Sequence, residues 1–178
     1  MIRKFYIRLY YLASAQTFAQ FEWLFGNVIE HCPEAAGWVA TKRPFLSTES
    51  LRNAFDDYLD KLKNHEKENV LIKHPDLAGK LAEEGKLTTE SQNEQKCAGL
   101  DEMTREEKQT LANLNAMYKE KFHFPFVICA RENKVAAILS GIENRLNNSP
   151  ETELDVGIQE VKKICRIRLL DVVWSDAR

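Results

Sequence analysis

The sequence predicts an all-α fold, a single-domain bundle of about six to eight helices joined by short connections. Three observations carry this. Apolar residues recur three and four apart along most of the chain, the spacing of one helix face. Serine or threonine stands ahead of several of these runs, where a helix N-cap belongs. Phe124-Pro125-Phe126-Val127-Ile128, the run short and apolar enough for a strand, has no evident partner and is expected as a buried extended segment.

Taken in order, Ser14 is expected to cap a helix carrying Phe18, Phe21, Leu24, Phe25 and Val28, which Cys32-Pro33 ends because proline disfavours helix in the residue before it. A short helix with Ala35, Trp38 and Val39 follows, then a turn at Arg43-Pro44 with Phe45 as a core plug. Ser47 or Thr48 caps the next helix, whose stripe is Leu51, Ala54, Phe55, Tyr58, Leu59 and Leu62. The charged run from Lys61 to Glu68 reads as a solvated helix end and loop, and Val70 to Ile72 leads into Lys73-His74-Pro75.

Pro75 suits the first position of a short helix with His74 as its N-cap, where the positive end of the helix favours a neutral imidazole. Thr88 or Thr89 caps the helix holding Ser91, and Thr89 with Gln92 fits a capping box. Thr104 and Glu107 form another box, opening a helix with Leu111, Leu114, Met117, Tyr118 and Phe122 inward. Val135 to Leu146 reads as helix, and Ser149-Pro150-Glu151 opens the last one.

Composition narrows the function. The chain has 178 residues, enough for one domain with a proper core, with 44% apolar and 29% charged residues. A net charge of −2 gives no electrostatic footprint for nucleic acid or an anionic membrane. Cys32, Cys97, Cys129 and Cys165 are widely spaced with no C-x-x-C, which points to free thiols rather than a zinc module or a disulfide framework. None of the seven glycines builds a dinucleotide or P-loop motif. Met1 to Ser14 is basic, aromatic and free of acids, a faint likeness to a targeting peptide; Arg8 interrupts its apolar run, and residues 1–13 are read as an extension or a first-helix lead-in preceding a domain over 14–175, with 176–178 as a tail.

Two places depart from ordinary core or surface. Ser91, Glu94 and Gln95 fall within an arc of ~100° on one helix, gathering a hydroxyl, a carboxylate and an amide; the face is either a solvated helix start or a ligand-facing one. In the last helix Leu154, Ile158, Val161, Cys165, Arg168 and Val172 share one inward face. An arginine aimed inward needs a partner, since an unpaired buried charge costs several kcal/mol. It either snorkels at the rim or awaits an anionic ligand. His74 and Glu94 are too few to make a metal site, for which three or four ligands are usual.

His74, Ser91, Glu94, Gln95 and Arg168, in that order, resemble the pattern of the OHCU (2-oxo-4-hydroxy-4-carboxy-5-ureidoimidazoline) decarboxylase family. The likeness runs from about Phe18 to Val173 and includes Arg43-Pro44-Phe45, HPDLAG at 74–79, LTTESQNEQ at 87–95, FPFVICA at 124–130 and EVKKICRIRL at 160–169. The resemblance implies an all-helical enzyme of urate breakdown that needs no cofactor or metal, acts on the small molecule OHCU to give (S)-allantoin and carbon dioxide, is usually a homodimer, and engages neither nucleic acid nor membrane. It implies His74 as the proton-transfer residue, beside which Glu94 is expected to act by orienting the imidazole or pressing its charge against the substrate carboxylate. It further implies a substrate lining of Pro75, Ser91, Glu94, Gln95, the backbone of Phe126, Val127, Ile128, Cys129 and Ala130, and Arg168. Peroxisomal localisation would follow from the resemblance, but the chain ends Asp176-Ala177-Arg178 rather than in a peroxisomal tripeptide, which leaves the cytoplasm as the alternative. The rival functional readings are a hydrolase of a related ureido compound and a catalytically silent helical interaction module.

Overall fold

A computed structural model describes residues 17–174 together with the backbone of Ile7 and Arg8. The rest of the expected extension, the Ser14 cap and the tail at 176–178 lie outside the described residues. The fold is all-α. Its described elements are α1 (Phe18–Phe25), α2 (Pro33–Ala40), α3 (Thr48–Lys61), α4 (Asn64–Ile72), α5 (Lys80–Glu83), α6 (Thr89–Ala98), α7 (Arg105–Phe122), α8 (Val135–Arg145) and α9 (Pro150–Val172), with single 3₁₀ turns at Leu100–Glu102 and Ala130–Glu132. The extended pairing among described residues is a two-residue parallel match of Ile7 with Val173 and Arg8 with Trp174. The chain divides into two compact units, residues 64–161 and residues 1–63 with 162–178, and α9 runs through both.

In the unit of residues 1–63 and 162–178, Thr17 caps α1 through a reciprocal box with Gln20. The helix stops at Phe25 rather than continuing to Cys32; Val28 and Ile29 are buried from the turn that follows, so the apolar spacing outlasts the helix. Pro33 then opens α2 from its first position, where its missing N–H costs nothing. Ser47 caps α3, and Leu51, Ala54, Phe55 and Leu59 are its buried stripe. Phe21, Phe25 and Phe55 form the aromatic centre, with ring centroids 4.6 and 6.5 Å apart in succession. Phe45 lies 6.3 Å from Phe21 and is the buried plug the turn at Arg43-Pro44 was expected to deliver.

In the unit of residues 64–161, the run read as loop is in fact helix: Asn64–Ile72 is α4, and Val70 and Leu71 are its buried last turn. Its charged residues hid a short stripe because apolar residues occupy only one turn. Gly157 of α9 lets α4 come close, since a Cβ there would sit 2.8 Å from the Leu71 side chain. The Thr104–Glu107 box opens α7 as expected. Leu111, Tyr118 and Phe122 point inward, but Met117 is exposed and Asn115 takes the inward place beside them. Residues 125–129 belong to no helix or strand and are buried except for the half-buried Ile128, without a strand partner among the described residues. Tyr118 packs edge-on against Phe126 at 5.3 Å, and Ile138 and Ile142 of α8 complete the core with Leu154, Ile158 and Val161 of α9. Each such large side chain taken out of water contributes about 1.5–3 kcal/mol.

Candidate active site

His74 follows the last turn of α4; no helix begins at Pro75, and the next one opens only at Lys80. The helix N-terminal field expected to act on the imidazole is therefore absent. The ring instead turns back onto the helix it follows. His74 is 7% exposed, and its Nδ1 lies 3.0 Å from the carbonyl of Val70, one of the C-terminal carbonyls that a helix leaves without an internal donor. A carbonyl only accepts, so Nδ1 carries a proton, which leaves Nε2 as the nitrogen that can gain or lose one.

The loop after His74 is held by side chains from two helices. Gln95 Oε1 accepts from the Ala78 N–H at 2.9 Å, and its Nε2 donates to the Asp76 carbonyl at 3.4 Å. Asn115 donates to the Leu77 carbonyl at 3.1 Å, and Lys119 pairs with Asp76 at 2.6 Å. The bond from Gln95 matters because Ala78 adopts φ +49°, a left-handed conformation unfavourable for a residue with a Cβ. Gly79 is extended, and the limit there is space, since a Cβ would meet the Asp76 side chain at 2.6 Å.

Ser91, Glu94 and Gln95 all lie on α6, and all three are buried. The solvated-helix alternative is excluded for this face. Thr88 alone provides the cap, its hydroxyl accepting from Ser91 N at 3.2 Å; the Thr89–Gln92 box does not form because the helix starts one residue earlier than that box requires. Gly99 ends the helix in the left-handed region at φ +82°, the usual role of glycine there. Beside α6 runs the Phe126–Ala130 segment. Burial, followed by the charge of Glu132 and then of Glu160 and Glu94, pushes the Cys129 thiol up to about 11.

Sequence reasoning passed over the residues that hold this segment. Glu160 of α9 accepts from the Cys129 N–H at 2.8 Å. Arg145 of α8 donates to the Val127 carbonyl at 2.8 Å, lies 4.5 Å over the Phe126 ring and binds Glu153 through Nε at 2.7 Å. Glu153 is wholly buried and also accepts from Tyr118 and from Asn148. Glu160 was legible in principle, since it sits at the flank of the Gly157–Val161–Ile164 face. Glu153 was not, because its helix position alone reads as a favourable acid in a first turn.

In the other unit Arg168 is 3% exposed, which excludes the snorkelling alternative. Its Nη1 lies 2.6 Å from Glu30 Oε2 and donates to the Asn27 carbonyl at 2.9 Å. The partner that an inward arginine requires is thus Glu30, an acid set next to Val28 and Ile29 whose burial nothing in the sequence singled out.

A buried histidine, a buried carboxylate on α6 and a backbone segment braced by charged side chains make a candidate enzyme site on an all-helical scaffold. Two solved structures share that scaffold: "(S)-allantoin synthase", with a TM-score of 0.74 at 22% identity over 94% of this chain and 54% of that one, so that the chain spans about half its length, and "OHCU decarboxylase in the presence of (S)-allantoin", with a TM-score of 0.66 at 24% identity over 87% and 96%. The OHCU decarboxylase family profile matches residues 14–170, across both units. The 2-oxo-4-hydroxy-4-carboxy-5-ureidoimidazoline decarboxylase of Xenopus laevis is 44% identical over 92% of this chain and 93% of its own, and that of Mus musculus 41% over 91% of each. A counterpart from Haloferax volcanii is 33% identical over 85% and 88%. The chain belongs to the OHCU decarboxylase family. It is a decarboxylase, a carboxy-lyase of urate degradation.

Proposed function

We propose that this chain decarboxylates OHCU to (S)-allantoin and carbon dioxide, working as a homodimer. The observation that carries this reading lies within residues 64–161: Gln95, on the same buried face as Ser91 and Glu94, binds the loop that follows His74, and the Phe126–Ala130 segment, braced by Glu160, leads into the turn that packs on the same helix. In the reaction the bond from the ring carbon to the carboxylate breaks, its electron pair stays on carbon, and charge spreads into the adjoining carbonyl or imine. Catalysis must favour that developing charge over the starting carboxylate.

His74 is proposed to exchange the proton through Nε2, taking it from the 4-hydroxyl or delivering it to the carbanion. Delivery from one fixed side explains a single enantiomer. Glu94 is proposed to orient the imidazole or to press its charge against the departing carboxylate. Ser91 and Pro75 line the substrate with the backbone of Phe126–Ala130. Gln95 supplies chiefly the position of the His74 loop, and one amide hydrogen beyond its two loop bonds for a ureido edge. Arg168 is assigned from the family pattern: a guanidinium suits ring or ureido oxygens that gain charge, since a grip on the carboxylate alone would stabilise the ground state.

The test generates OHCU from urate with urate oxidase and the hydrolase that follows, then adds this protein and records circular dichroism alongside released carbon dioxide. Fast release with accumulation of one allantoin enantiomer supports the reading. Slow decay to racemic allantoin would overturn it, and ring opening or ammonia without carbon dioxide would replace it by a hydrolase. Sedimentation of the purified chain tests the dimer.

A further inference from the structure

Residues 124–128 make no backbone-to-backbone hydrogen bond among the described residues, so no sheet ladder sets where this backbone sits. Two side chains do. Arg145 holds the Val127 carbonyl from one side, itself locked by the buried Glu153 and stacked on Phe126. Glu160 holds the Cys129 N–H from the other. Between these two attachments lies Ile128, whose own peptide groups take no partner among the described residues. The turn after it is closed separately, by Asn133 on the Cys129 and Ala130 carbonyls.

We propose that Glu160 and Arg145 are positioning residues for the decarboxylation, fixing the Val127–Cys129 backbone so that it meets the substrate in one orientation. This rests on the reading that the segment lines the substrate. Neither residue touches the reacting atoms. They act through the peptide groups they hold, and a charge-assisted bond at each end resists the slippage that an unpaired extended segment otherwise allows. A loosened segment admits more than one substrate pose, and both affinity and the face of protonation suffer.

The experiment compares Glu160→Ala with Glu160→Gln in the full chain. It reads kcat and KM on OHCU, the enantiomeric purity of allantoin, thermal midpoint and hydrogen exchange of the Cys129 amide. Gln keeps an acceptor for that amide, whereas Ala removes it. The expected result is a rise in KM and a fall in kcat/KM of roughly tenfold for the Ala variant, the scale of one lost hydrogen bond, with faster Cys129 exchange and a less pure enantiomer. The Gln variant recovers most of each.

Ala kinetics and purity equal to wild type would overturn the proposal, as would equal impairment of Ala and Gln. Arg145→Lys carries the same readouts if Glu160→Ala does not fold, because a point charge replaces a fork that spans Val127 and Glu153; an unchanged KM and purity there would overturn it too. Wild-type protein that does not turn over OHCU sinks the substrate reading itself. Wild-type turnover with indifferent variants sinks only this inference.

Discussion

Glu30 Oε2 and Arg168 Nη1 lie 2.6 Å apart, with both side chains almost wholly out of water. Removing one partner of such a pair takes from the other the buried countercharge at 2.6 Å. Glu30→Ala is therefore expected to cost about 3–5 kcal/mol in urea unfolding with an unchanged m-value. Replacing both residues by methionine should recover most of that stability, since two apolar side chains need no mutual compensation, yet leave the enzyme inactive. A double variant that is stable and active would confine Arg168 to a structural role.

His74→Asn is expected to lower kcat by two orders of magnitude or more, on the order of what general acid–base catalysis contributes, with a thermal midpoint near that of wild type. The asparagine amide can still donate to the Val70 carbonyl that Nδ1 now engages, so the fold keeps its bond while the reaction loses its titratable nitrogen. Steady-state kinetics with a parallel melting curve decide the matter. Near-normal turnover would remove His74 from the mechanism.

For Glu94→Gln the expected loss falls on kcat more than on KM, because an electrostatic contribution that grows toward the transition state leaves substrate binding largely intact. A variant in which KM alone rises would show that Glu94 holds the substrate and does nothing further.

Asp56 offers a pH prediction. Burial raises its carboxyl above the usual value, outweighing the attraction of Lys162 and Arg52. A carboxyl whose pKa is raised in the folded state contributes stability in full below its unfolded pKa and loses it as pH rises through the folded one. Asp56→Asn should accordingly raise the melting temperature at neutral pH. The advantage should fade as acid protonates the wild-type side chain. An Asn variant less stable than wild type at pH 7 would show that the attraction of Lys162 outweighs burial.

The local features of this protein were legible in its sequence. Thr104 with Glu107, Ser149 ahead of Pro150, and the Ser91–Glu94–Gln95 face depend on residues three or four apart, and helical geometry alone brings such residues together. The inward aim of Arg168 was legible for the same reason, because its helix carries an apolar stripe that includes it. His74 was misplaced locally because proline is tolerated both at a helix start and in the extended loop that actually follows α4. What closes over Arg168 and what braces the Phe126–Ala130 backbone were decided by tertiary structure. Glu30, Glu153 and Arg145 look like ordinary solvated charges in sequence, Glu160 shows only its place at the flank of an apolar face, and their partners are fixed when separate elements pack together. Sequence periodicity specifies which face of an element turns inward; which charge waits on the other side depends on long-range packing, and in this protein that packing supports the candidate site.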